Sequence, residues 1–79
     1  MTIQDLKIGE TAEIVSLNSQ KLPKPMITEL LELGFFPGAE ITLQNKSLLL
    51  GKMVCVLSGT TIALRIDDGK AIEIKLKQT

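Results

Sequence analysis

The residues able to carry chemistry are few and lie far apart along the chain. The 79 residues include no histidine, which is the commonest general base and metal ligand, and a single cysteine, Cys55. Cys55 lies between Val54 and Val56 in the most apolar stretch, and this favours a buried, unreactive thiol over a nucleophile. No glycine-rich phosphate loop precedes a predicted helix. We therefore expect no catalytic residues and no enzymatic activity.

Two pairs of carboxylates are the candidates for a metal site. Glu29 and Glu32 are three residues apart on a predicted helix, so both side chains could lean over one ion, but any solvated helix face shows this spacing. Asp67 and Asp68 precede Gly69, and aspartate and glycine are also common turn residues. Because hard cations usually take more oxygen ligands than either pair offers, we favour a structural interpretation at both places.

The charges balance at nine basic and nine acidic residues, so the net charge gives no general attraction for nucleic acids or anionic membranes. Acidic residues also interrupt the lysines that could form a basic strip, and only two aromatic residues could stack on bases. These lysines are Lys46, Lys52, Lys70, Lys75 and Lys77. We expect no nucleic-acid partner.

The single cysteine permits no internal disulfide, which fits a reducing compartment. No signal peptide is visible, and every apolar run is far shorter than the ~20 residues that span a bilayer. We expect a cytoplasmic protein without direct membrane insertion.

The spacing of apolar residues predicts a mainly β domain with one short helix. Thr2 and Asp5 have the spacing of a capping box, which predicts an opening helical turn. Apolar residues at three- and four-residue spacing predict a helix of at most about three turns, after or including Pro23 and Pro25; they are Leu22, Met26, Ile27, Leu30, Leu31 and Leu33.

Strands are predicted at 12–17, from 41, and at 53–57, 60–66 and 72–76, with loops at 45–52 and 67–70. The 53–57 strand is expected to be the most central, because it is apolar on both faces. Ile72, Ile74 and Leu76 are expected to face inward. The prediction is a single domain over residues 1–79: a small, partly open antiparallel barrel of about five strands, with the helix between strands 1 and 2.

The helix is predicted to end abruptly. Gly34 follows the apolar stripe and can adopt the left-handed conformation that ends a helix, so that Phe35 folds back near Leu30. Pro37 and Gly38 then have the order required in the two central positions of a type II turn.

Apolar residues in the predicted turns are in surplus. Leu48, Leu49 and Leu50 lie in the 45–52 loop, and Phe36 competes with Phe35 for the core. The interpretation we favour slightly is a long hairpin whose tip folds over the core. The alternative is an apolar tip that docks on a partner protein or on another copy of the chain.

The chain resembles the FeoA family, small cytosolic accessories of bacterial ferrous iron uptake. The resemblance is carried by Leu6 and Gly9, by Leu30, Leu33, Gly34, Phe35, Pro37 and Gly38, and by Ile41, Gly51, Val54, Gly59, Ala63, Leu64, Arg65 and Ile72. It implies an SH3-like barrel and a working relationship with FeoB, the membrane permease that carries a cytosolic GTPase domain. It also implies kinship with the C-terminal domain of iron-dependent repressors, and through it binding of a divalent transition metal such as Fe²⁺.

The resulting hypothesis is a non-enzymatic module that binds or regulates FeoB. Phe36 and Leu48 to Leu50 are expected to supply the contact, with Lys46 and Lys52 orienting the approach. Arg65 could pair with a partner carboxylate, although an exposed strand arginine usually does no more than face solvent. The alternatives are a metal sensor or carrier and a nucleic-acid-binding barrel, and the uncovered barrel edge also allows homo-oligomers.

Overall fold

The fold is built on one antiparallel sheet of five strands. The computed structural model describes residues 1–77. The strands lie in the order β4-β3-β2-β1-β5. A 3₁₀ turn, Ile3–Asp5, is followed by β1 (Thr11–Leu17), α1 (Lys24–Leu33), β2 (Glu40–Ser47), β3 (Lys52–Leu57), β4 (Thr60–Arg65), α2 (Ile66–Gly69) and β5 (Ile72–Leu76). The predicted mainly β fold, with a helix between the first two strands, is confirmed.

Three predicted details of the strands are wrong. The central strand is β2 and not β3. A strand with apolar residues on both faces need not be central, and Val54 and Val56 of β3 are only half-buried. The predicted 45–52 loop is shorter, because a register shift between Leu43 and Asn45 lets β2 continue to Ser47. Leu76 is 41% exposed rather than inward.

The predicted turn at 67–70 is instead the short helix α2. Its Gly69 is buried, and a Cβ added there would lie 3.4 Å from Met53 Sδ and 3.6 Å from Ile3 Cβ. The predicted opening turn is confirmed, because the Thr2 backbone N–H donates to Asp5 Oδ2 at 2.9 Å. The 3₁₀ turn and α2 therefore pack together over one end of the core.

The junction between α1 and β2 has the predicted geometry. The Phe35 N–H donates to the Leu30 carbonyl and the Gly34 N–H to the Leu31 carbonyl, both at 3.0 Å, with Gly34 at φ 107°. This pair of hydrogen bonds is a Schellman motif, which turns the chain sharply and satisfies carbonyls at the helix end. Gly38, at φ 92°, completes the following turn, and its N–H donates to the Ile14 carbonyl at 2.8 Å.

Phe35 is the aromatic residue of the core and is fully buried, whereas Phe36 beside it is 51% exposed. The rest of the core is aliphatic, apart from Met53 and Cys55. Leu31 and Leu33 belong to the predicted apolar stripe of α1 but remain 43% and 48% exposed, so α1 buries a narrower face than expected. A thin core of this kind depends strongly on its largest side chain.

The two adjacent phenylalanines give a matched test of this packing. Phe35→Ala should lower the free energy of unfolding by about 3–5 kcal/mol, because it leaves a cavity in a core with little to fill it. Phe36→Ala should lower it by about 1 kcal/mol or less. Urea unfolding of both variants measures the difference, and equal losses would contradict the assignment of Phe35 to the core.

Candidate functional site

The side chains predicted to bind a partner lie at two opposite ends of the β2–β3 hairpin. In the register, Ile41 pairs with Leu57 at one end and Ser47 with Lys52 at the other. Six residue steps along a strand span about 20 Å. Phe36 lies at the Ile41 end and Leu48 to Leu50 at the Ser47 end, so the structure does not bring them together into one surface.

Leu48, Leu49 and Leu50 form a protruding turn, which we call the leucine tip. Their side chains are 80%, 95% and 70% exposed, so the favoured prediction that this segment folds over the core is wrong. Two hydrogen bonds nevertheless hold the backbone of the tip. The Leu50 N–H donates to Ser47 Oγ at 3.2 Å, and the Ile66 N–H donates to the Gly51 carbonyl at 2.9 Å.

The two lysines predicted to orient a partner have different surroundings. Lys46 is half-buried, and its Nζ donates to the Gln4 carbonyl at 2.6 Å, so it ties the hairpin to the 3₁₀ turn. Lys52 is exposed and lies directly opposite Arg65 in the β3–β4 register.

Lys52 and Arg65 flank a shallow recess of about 190 Å³, which Ala63 and Leu64 also line. Like charges directly opposite each other on neighbouring strands repel, so this pair favours an anion between them. This pair was not predicted from the sequence. The signal that could have revealed it is the lack of any aspartate or glutamate in residues 41–66.

The Phe36 end presents an aromatic side chain on a rigid turn. A Cβ added to Gly34 would lie 3.4 Å from Leu57 Cδ2 and 4.0 Å from Phe36 Cε1, so the Phe36 ring lies beside the end of α1 and the end of β3. The Phe36 carbonyl accepts from the Ala39 N–H at 3.0 Å, which holds the turn that presents the ring.

The four candidate metal ligands are not assembled into a site. Glu29 and Glu32 are exposed on α1, while Asp67 and Asp68 lie in α2, where Asp67 pairs with Lys70 at 3.2 Å. Within residues 1–77, no three or more carboxylate or cysteine side chains come together where they could hold one ion.

Most of the lysines considered for nucleic-acid binding are engaged within the protein. Lys75 pairs with Glu13 at 3.5 Å and Lys77 with Glu40, in addition to the contacts of Lys46 and Lys70 already described. Four of these five lysines are therefore held by a carboxylate or a backbone carbonyl of the chain itself. No helix in the described part of the chain is long and apolar enough to cross a bilayer.

Comparison with known proteins gives one family. The model of the FeoA domain matches residues 1–76. The chain is 34% identical over 76 residues to a Campylobacter jejuni protein provisionally named Fe(2+) transport protein A, covering 96% of this chain and 99% of that protein.

Solved structures agree on the fold. The FeoA of Stenotrophomonas maltophilia, crystallised with zinc, is 26% identical, with a TM-score of 0.81 over 95% of this chain and 89% of that one. It is described as a prokaryotic SH3 domain protein and a proposed ferrous iron transport activating factor. A manganese-dependent transcriptional repressor matches with a TM-score of 0.88 at 14% identity, over 98% of this chain and 36% of the repressor. The predicted SH3-like fold is confirmed, and part of the repressor shares it.

Burial of Cys55 gives a prediction on pH dependence. The side chain is fully buried, and loss of hydration raises the pKa of its thiol from 9.0 to about 11. The unfolded chain then loses this proton at lower pH than the folded one, so stability is unaffected below pH 9 and falls as pH rises to 11. From 1.36 kcal/mol per pKa unit, the loss is about 2–3 kcal/mol.

Urea unfolding at several pH values between 8 and 11, in the wild type and in Cys55→Ala, measures this effect. The variant should be less stable at pH 8, because it lacks the buried sulfur, but should lose less stability on going to pH 11. Parallel pH profiles would contradict the raised pKa.

Proposed function

Because this chain belongs to the FeoA family, we propose that it is a non-enzymatic accessory protein of ferrous iron uptake that binds the cytosolic side of FeoB. The name of the C. jejuni relative and the description of the S. maltophilia protein support the role in iron uptake. FeoB is the partner that the family resemblance implies. On this proposal the protein acts in the cytoplasm, and Fe²⁺ is the cargo of the transporter rather than a resident cofactor of this chain.

Phe36 carries the proposed contact with FeoB. Aromatic residues, including phenylalanine, are enriched in protein–protein interfaces, and a rigid ring loses little conformational entropy on binding. Phe36 is half-exposed on a turn fixed by Gly34 and by the hydrogen bond of its own carbonyl. This preorganisation lowers the entropy lost when the ring enters a pocket on the partner.

The exposed flanks of α1 extend the same end of the molecule. Leu31 and Leu33 lie within five residues of Phe36 along the chain and are both close to half-exposed. Each adds exposed apolar area on α1 close to Phe36 in the sequence. The leucine tip is about 20 Å away along the hairpin, so a second contact can use it independently.

The test is binding to the purified cytosolic portion of FeoB in solution, measured by calorimetry. Phe36→Ser should weaken binding about tenfold or more, as expected when a central aromatic contact is lost. Because Phe36 is exposed, the variant should keep the fold, which circular dichroism verifies.

Ile8→Ser is the matched control, since Ile8 is an exposed apolar residue outside this surface, with 64% of its side chain accessible. It should bind as the wild type does. Undiminished binding by Phe36→Ser would rule out the proposed surface, and no binding by the wild-type chain would overturn the proposed partner.

A further inference from the structure

The leucine tip is a hydrogen-bonded protrusion whose three side chains are all largely exposed. Hydrogen bonds at Ser47 and Gly51 fix its backbone, and Gly51 adopts φ 66° to close the turn. Leu49, at the apex, is 95% exposed, and its two neighbours are at least 70% exposed. None of the three packs on the barrel. A binding partner that covered all three side chains would therefore have to surround the tip rather than lie against one side of it.

Basic side chains lie immediately behind the tip. Residues 41–66 contain Lys46, Lys52 and Arg65 and no acidic residue, which gives this segment a formal charge of +3 in a chain with a net charge of zero. Lys46 is held by the Gln4 carbonyl, whereas Lys52 and Arg65 form no ion pair within residues 1–77. Asp67, two residues beyond Arg65, is paired with Lys70.

The recess between Lys52 and Arg65 has the chemistry of an anion site with an apolar wall. The two cations are cross-strand neighbours, and Ala63 and Leu64 complete the lining. Lys52 is two residues after Leu50, which sets it back from the tip by about 7 Å at most. An apolar group entering an interface reaches about 5–10 Å into the headgroup and acyl boundary, so Lys52 would lie at the level of the phosphates.

We propose that the leucine tip and the Lys52–Arg65 recess dock this domain peripherally on an anionic phospholipid bilayer. The leucines enter the apolar boundary of the membrane, and the recess receives a headgroup phosphate. A bilayer fits better than a protein surface for two reasons. It surrounds a protruding tip on all sides, and leucine is under-represented among the residues that dominate protein–protein binding.

This docking is distinct from the proposed contact at Phe36 and does not depend on it. Three leucines and two cations give weak, reversible attachment, because even a complete acyl chain anchors a protein only marginally. The net charge of zero led us to expect no attraction for anionic membranes. A net charge does not describe how the charges are distributed, however, and basic residues are concentrated behind the leucine tip.

Sedimentation with vesicles tests the proposal. The wild-type chain should bind vesicles containing phosphatidylglycerol and bind pure phosphatidylcholine much less. Leu49→Asp, and separately Lys52→Gln combined with Arg65→Gln, should each lower the affinity for the anionic vesicles about tenfold or more. A matched charge control, Lys21→Gln combined with Lys24→Gln, should lower it much less, and Phe36→Ser should leave it unchanged.

Site-specific fluorescence tests insertion directly. Since Cys55 is fully buried, a thiol-reactive, polarity-sensitive dye should label Leu49→Cys selectively. Its emission should shift to the blue on adding anionic vesicles, whereas the same dye on Ser19→Cys should not respond.

Three outcomes would overturn the proposal. The first is that the wild-type chain does not bind anionic vesicles at low salt, and the second is that Leu49→Asp leaves vesicle binding unchanged. The third is that Leu49→Asp abolishes binding to FeoB in lipid-free solution. The last outcome would make the tip a protein contact. If Phe36→Ser left FeoB binding unchanged while the vesicle results were as expected, the proposed FeoB-binding surface would be ruled out and the membrane-docking proposal would stand.

Discussion

The structure depends on one local constraint, the way in which α1 must end. Gly34 adopts the left-handed backbone conformation, which residues with a side chain disfavour. The two hydrogen bonds of the Schellman motif turn the chain sharply at this residue. This reversal places Phe35 inside and Phe36 outside. It also delivers the chain to the start of β2, the central strand of the sheet. The same hydrogen bonds thus fix both aromatic side chains of the protein, one inside the aliphatic core and one exposed.

Much of the fold could be predicted because the signals are local. Each signal acts over a few residues: the capping residues, the glycine and proline turns, and the change in apolar spacing. The elements that these signals predicted are present in the structure. What could not be predicted depends on contacts distant in sequence. β2 continues past a register shift at Leu43 and Asn45 and beyond its apolar stretch, and the segment around Gly69, which packs against Ile3 and Met53, is helical. Neither effect leaves a pattern in the segment itself.

The candidate surfaces show the same division. Composition alone revealed that Phe36 and the three leucines exceed what the core needs, but only strand pairing shows that they lie at opposite ends of a hairpin. Pairing likewise brings Lys52 opposite Arg65, thirteen residues away in the chain, and the fold gives Lys46 the Gln4 carbonyl as a hydrogen-bond partner. Residue types predicted what the side chains could do, and the register decided which of them can act together.

The pairing of β1 with β5 has a consequence for biosynthesis. These strands are joined by pairs such as Ala12 with Leu76, and the bridge between Thr2 and Glu73 lies beside them. Contacts so distant in sequence form late, because a long loop must close before they add any stability. During translation the first strand therefore has an unpaired edge until the fifth has left the ribosome. Over that interval the nascent chain exposes a strand edge to which a chaperone could bind.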